Sequence, residues 1–376
     1  MENNKEIQPA GSVESLFQPF RFGNVTLSNR IVMAPMTRSF SPGGIPGQNV
    51  ADYYRRRAEN DVGLIVTEGT FINHPAAGND PNVPNIHDED ALNGWTKVVD
   101  EVHGAGGRII LQLWHVGMQR NVGDQPNPHV PPIGPSGLAV SGVKVTGPMT
   151  KSEIHTVIEA YAQAAFNAKR LGFDGIEIHG GHGYLIDQFF WKKTNQRTDD
   201  YGGNLVDRTR FAVEVIEACR RAVGTDFPIS FRLSQWKQGD YTAKLVETPE
   251  QLADFLTPLV KAGVDFFHCS ARRFWEPEFE HSSLTLAGWV KKLSGKPTIT
   301  VGSIGLDQDL ISSLFQGKET KNTNIQNLIT RLEKGEFDLV AVGRALLADP
   351  AWPVKMRDKR MNEILPFSRE VLKTLV

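Results

Sequence analysis

Eight short apolar runs rich in β-branched residues constrain this chain more than any other feature: Arg30–Ala34, Gly63–Gly69, Arg108–Trp114, Gly175–His179, Pro228–Leu233, Val264–Cys269, Thr298–Gly302 and Phe337–Gly343. Near-continuous apolar runs of this length fit parallel strands covered on both faces, because a strand with one wet face would alternate instead. Between most of them lies a helical pattern, clearest over Ser152–Leu171, where Ile154, Val157, Ile158, Tyr161, Ala165 and Ala168 share one face. Thr150 followed by Glu153 predicts a capping box at its start, and Gly172 supplies the residue a C-terminal cap wants. Further helices are expected at Val206–Val223, Thr248–Ala262 and Ile325–Lys334. Eight strand–helix units predict an α/β fold, a single (β/α)8 TIM barrel, with a doubly wound sheet as the rival because alternation alone does not show closure. The Pro- and Gly-rich stretch His115–Pro148 reads as a long excursion after strand 3 that covers a site, and polar Gln316–Gln326 as an exposed insertion. Residues 1–15 are expected to be a flexible segment and 16–376 one barrel domain.

Composition narrows the partner. Lys+Arg 41 against Asp+Glu 43 leaves a formal net charge of −2, and no basic block offers a footprint for nucleic acid, so a small molecule is expected. The two cysteines, Cys219 and Cys269, are far apart, which excludes a disulfide scaffold, a zinc ribbon and a cysteine-ligated iron–sulfur cluster. Met1–Gly11 is polar and no apolar run reaches a membrane-spanning length, so a cytoplasmic protein without membrane partners is expected.

Barrel enzymes keep their chemistry at the C-terminal ends of the strands. The runs here end in Ala34-Pro35-Met36-Thr37, Glu68-Gly69, Gln112 and Trp114, His179 to Tyr184, Arg232, Gly302-Ser303 and Gly343-Arg344. Glycines after strands 7 and 8 let a phosphate approach backbone amides, and Arg344 would add a charged fork; alone, the same glycines merely turn the chain. His179, His182 and Tyr184 bring two imidazoles and a phenol into a small volume. They read as a metal site lacking further ligands beyond Asp187, as ordinary hydrogen-bonded histidines, or as a donor pair for a carbonyl-type oxygen with a phenolic acid. Arg232, in an apolar strand, must pair internally or face a buried anion such as a flavin ring, whose imide edge Gln112 would meet. Trp114 and Phe274-Trp275 are candidate walls for a flat ligand.

Asn29 to Arg38, Thr67-Glu68-Gly69, Gln112-Leu113-Trp114, His179 to Tyr184 and Asn195 to Gly203 together resemble the Old Yellow Enzyme family of flavin-dependent ene-reductases, in the family's order and over about Leu16 to Pro353. The His179/His182 pair is similar to the oxophytodienoate reductase and bacterial branches. The resemblance implies a (β/α)8 barrel that holds FMN non-covalently. Ala34, Pro35, Met36, Thr37, Gly69, Gln112 and Arg232 would take its ring and ribityl parts, and Gly302, Ser303, Gly343 and Arg344 its phosphate. It implies NADPH or NADH as hydride donor and an electron-poor alkene as substrate. His179 and His182 would grip the activating oxygen, Tyr184 would donate the proton, Trp114 and Trp275 would contact substrate, and no metal would take part. The alternative is a flavin-binding redox sensor with little turnover. Oligomeric state, monomer or homo-oligomer, stays open.

Overall fold

The structure, a computed structural model, describes residues 12–314 and 316–376. The apolar runs form parallel strands β1 (Ile31–Met33), β2 (Leu64–Phe71), β3 (Ile109–Trp114), β4 (Gly175–His179), β5 (Ile229–Leu233), β6 (Phe266–Ser270), β7 (Thr298–Val301) and β8 (Leu339–Val342). Each pairs with its neighbour in sequence, and β8 returns to pair with β1, Val340 opposite Ile31 and Val342 opposite Met33. Closure disposes of the doubly wound sheet, which would leave two open edges.

The helix expected at Ser152–Leu171 runs Lys151–Arg170, with both halves of the Thr150/Glu153 capping box made. Thr248 likewise caps Pro249–Ala262 by accepting from Gln251 N. The helix expected from Val206 begins later, because Asp207–Thr209 is a 3-10 turn and the α-helix starts at Arg210. Helices Gln48–Glu59, Glu89–Gly104 and Leu286–Ser294 complete units that the sequence pattern left unmarked. The segment expected to be flexible over residues 1–15 falls partly outside the described residues; from Val13 it is a 3-10 turn, capped by Ser12, that runs to Phe17 and buries Leu16. The Gln316–Gln326 insertion is exposed apart from Thr320 and Ile325. No helix among the described residues is long and apolar enough to cross a membrane.

One apolar core fills the space between strands and helices, and a second lies inside the barrel around Val32, Leu64, Val66, Ile110, Phe266, Ile299 and Leu339. A hairpin of Phe20–Phe22 and Val25–Leu27 packs on the inner core, with the Phe22 ring 4.7 Å from that of Phe266. Side chains of a strand alternate between faces, so each inner apolar residue is followed two positions on by another inner one. Climbing the strands, Ile110 gives way to Gln112, Gly175 to Glu177, and Phe266 to His268. Glu177 is fully buried and accepts from Gln112 Nε2 (2.8 Å), Ser230 Oγ (3.0 Å) and His268 Nδ1 (2.8 Å). Burial pushes its carboxyl up, but His268, Arg232 and the hydrogen bonds outweigh that and hold it at about 2. This charged layer is the floor on which the rim residues stand.

Candidate active site

The rim opens into a cleft of about 350 Å³. Ala34, Pro35, Met36, Thr37, Gln112, Trp114, His179, His182, Tyr184, Arg232, Gly302, Ser303, Gly343 and Arg344 all line it. Two expected residues do not. A Cβ at Gly69 would fall 2.5 Å from the Trp114 ring, so this glycine clears space for the indole behind the cleft wall. Trp275 packs in the outer core, its ring 5.1 Å from Phe274 and perpendicular to it. From the end of β6 onward, only Ser270, Ala271 and Arg272 of this segment face the opening. The excursion after β3 does not line the cleft either; Gln119 and Val140 rest against Gly183 from behind.

Sequence reasoning missed Trp236, Gln238, Tyr241, Ser270 and Arg272. Ser270 carried a usable signal, since it continues the inner row Phe266–His268–Ser270 of β6. The others sit on loops whose path no periodicity reports.

His182 has φ +63°, a left-handed conformation that a side chain rarely adopts without support. The support comes from the loop after β5. His182 N donates to Ser234 Oγ (2.8 Å), Gln238 N donates to His182 O (3.0 Å), and the Trp236 ring stacks on the imidazole at 4.3 Å. Beneath, Gly183 N donates to Asp187 (2.6 Å), whose other oxygen receives Lys237 Nζ at 2.7 Å with both side chains fully buried. Asp187, weighed above as a metal ligand, is thus a structural counter-charge.

Burial, assisted by Arg232, lowers the His179 imidazole to about 3 and holds His182 well below its usual range, so both rings are neutral. Burial also pushes the Tyr184 phenol up to about 12, with Arg232 opposing. Its hydroxyl donates to Gln238 Oε1 at 2.8 Å. The rings of His179 and Tyr184 meet edge to face at 5.0 Å, and those of His179 and His182 at 4.9 Å.

The cleft is cationic, with Arg232 beside the histidines, opposite His179 in the β4–β5 register. Arg232, Arg272 and Arg344 line it and no carboxylate does. Arg232 is 7% exposed, has no ion-pair partner among the described residues, and leaves a buried Nε without any partner. Arg344 donates to Asp309 O (3.1 Å), Gln308 O (2.6 Å), Ser303 Oγ (3.2 Å) and Ser313 Oγ, all uncharged acceptors. Burial lowers its pKa to about 10, with Asp309 and Asp307 opposing. Gly302, at φ +149°, brings backbone within reach where a Cβ would stand 2.7 Å from Ala271 O. A buried guanidinium without a counter-charge, a glycine cradle and a positive lining suit a ligand that carries a phosphate and a polarisable ring.

A closed (β/α)8 barrel with that rim has the form of an enzyme that binds a phosphorylated cofactor. Residues 15–363 match the NADH:flavin oxidoreductase / NADH oxidase family. The chain is 36% identical over 363 residues to an NADH oxidase of Thermoanaerobacter brockii, covering 93% of this chain but only 52% of that protein's length. It is 34% identical to 12-oxophytodienoate reductase 2 of Arabidopsis thaliana, covering 93% of this chain and 90% of the relative. Morphinone reductase, solved in complex with tetrahydroNAD, superposes with a TM-score of 0.79 at 30% identity, covering 95% of this chain and 94% of the other. The chain belongs to this family and is an NAD(P)H-dependent flavin oxidoreductase of the Old Yellow Enzyme type.

Proposed function

We propose that the cleft holds FMN and that the enzyme reduces the C=C bond of electron-poor alkenes, α,β-unsaturated carbonyl compounds above all, with NADPH or NADH as hydride source. The observation that carries this reading is the joining of a buried Arg232, which has no ion-pair partner among the described residues and an unpartnered Nε, to two neutral imidazoles and a protonated phenol in one cleft. Arg232 and Gln112 would meet the ring's polar edge, since Glu177 takes only one Gln112 N–H and leaves Oε1 free. Ala34, Pro35, Met36 and Thr37 would flank the ring, and Gly302, Ser303, Gly343 and Arg344 would take the phosphate. Bound FMN supplies the hydride for the alkene.

The chain's own groups then act on the substrate. His179 and His182 donate hydrogen bonds to the activating oxygen, where negative charge develops as the β-carbon is reduced. Donors fixed in advance need not reorganise, which lowers a barrier by about 3 kcal/mol per donor in comparable sites. Tyr184 delivers its proton to the α-carbon. Trp114, Trp236 and Tyr241 wall the opening and favour flat, conjugated substrates. A panel of enones, maleimides, nitroalkenes and nitrate esters, run with NADPH and with NADH, tests the reading; turnover of no alkene with either donor would contradict it.

Two further results are expected. Gly302→Ala should lose FMN while keeping the fold, because the new methyl meets Ala271 O in a backbone conformation that side chains avoid; equilibrium dialysis with FMN measures this. The rate of the alkene half-reaction should be flat from about pH 5 to 10, with no step near the ordinary histidine value, because the two imidazoles are already neutral and the phenol is still protonated across that range. A stopped-flow pH series checks it, and a step near pH 6.5 would assign a charged imidazole to the reaction.

A further inference from the structure

We infer that Ser270 fixes the ring tautomer of His182 and thereby makes His182 a hydrogen-bond donor toward the cleft. The inference rests on the reading of His179 and His182 as the grip on a substrate oxygen.

A neutral imidazole carries one N–H and one lone pair, so the role its first nitrogen plays dictates what the second offers. His182 Nε2 lies 2.8 Å from Ser270 Oγ, which leaves Nδ1 for the cleft. Ser270 Oγ is also within 3.5 Å of Arg232 Nη2, and a guanidinium only donates. The serine hydroxyl has a single proton, and Arg232 and His182 are its only polar side-chain partners among the described residues. Were His182 to donate through Nε2, Ser270 would receive two donors and its own proton would find no acceptor in a buried position, a costly arrangement. The consistent polarity runs from Arg232 to Ser270 to His182 Nε2, with the ring proton on Nδ1.

His179 reaches the same polarity by other means. Its Nδ1 accepts from Gly181 N at 3.4 Å, so its proton stands on Nε2. Each of these two cleft-lining rings then keeps one N–H for a substrate oxygen. With the opposite His182 tautomer, a lone pair would face the oxygen that His179 serves, and the developing charge would be repelled instead of stabilised. Trp236 keeps the geometry in place, stacking on the His182 ring at 23° between planes while its Nε1 donates to Ser270 O at 3.1 Å. Ser270 is therefore a positioning residue, acting on substrate only through His182.

Histidine-selective 15N NMR of the FMN-loaded wild-type enzyme, without substrate, reads the tautomer directly. The resonance lost in His182→Asn is expected to carry the shift of a protonated Nδ1 and an unprotonated Nε2; the reverse overturns the inference. Since no alkene is present, a wrong choice of substrate class leaves this result untouched. In kinetics, Ser270→Ala is expected to lower kcat/KM for an enone such as cyclohexenone by roughly 10- to 100-fold, as loss of a ligand-orienting partner does elsewhere, and Ser270→Thr to restore most of it. Unchanged kcat/KM in Ser270→Ala also overturns the inference. Should Ser270→Ala fail to retain FMN, the wild-type spectrum still decides.

Discussion

Tyr184→Phe is expected to slow the alkene half-reaction by roughly 10²- to 10⁴-fold, the range that a positioned general acid contributes. The half-reaction that consumes NADPH or NADH should continue, because it needs no proton from this phenol. The substitution keeps the ring, so its edge-to-face contacts with Trp114 at 4.9 Å and His179 at 5.0 Å remain. Only the hydroxyl and its hydrogen bond to exposed Gln238 are lost, so stability should change by no more than about 1.5 kcal/mol. Stopped-flow measurement of the two half-reactions separates the cases. Both half-reactions running at their wild-type rates in the variant would assign proton delivery to another group.

The largest effect on stability is expected at Lys237→Met, a residue that does not itself line the cleft. The variant leaves the fully buried Asp187 carboxylate facing Gly183 N alone, and breaking one side of a buried pair costs about 3–5 kcal/mol. Burial already pushes the Asp187 carboxyl up, with Lys237 opposing; without the lysine it rises further. A group whose folded pKa lies above its unfolded value destabilises the fold as pH rises through that range. The deficit of the variant should therefore be largest near neutral pH and shrink toward pH 4 as Asp187 takes a proton. Lys237→Met combined with Asp187→Leu should recover most of the loss, because no charge is left buried. Denaturant midpoints for the four proteins of this cycle measure it; a single variant as stable as the parent at pH 7 would contradict the pairing.

The barrel was legible because parallel strands buried on both faces must be almost wholly apolar, and each such run became a strand. The hairpin inside its base was not, since Phe20–Phe22 and Val25–Leu27 are three-residue strands, too short to show a period. Much of the rim was legible as polar residues at strand ends, and the histidines, Tyr184, Arg232 and the phosphate-end residues do meet in one cleft. Of the expected aromatic wall, Trp114 lines the cleft and Trp275 does not. Trp275 follows β6 and packs outward, whereas Trp236 follows β5 and closes on His182, and nothing in local sequence distinguishes the two loops. The floor was also hidden, because Glu177 and His268 stand inside apolar runs and only the closed barrel brings them within 2.8 Å.

The central claim, that one cleft passes hydride from a nicotinamide to an electron-poor alkene, is met most directly by an anaerobic two-step mixing experiment. FMN-loaded enzyme is first bleached with one equivalent of NADPH or NADH and then mixed with cyclohexenone, with the flavin's visible absorbance followed. The account predicts that the yellow colour returns in proportion to alkene reduced. Enzyme that stays bleached with every electron-poor alkene of the panel, yet regains its colour on admission of oxygen, would contradict it.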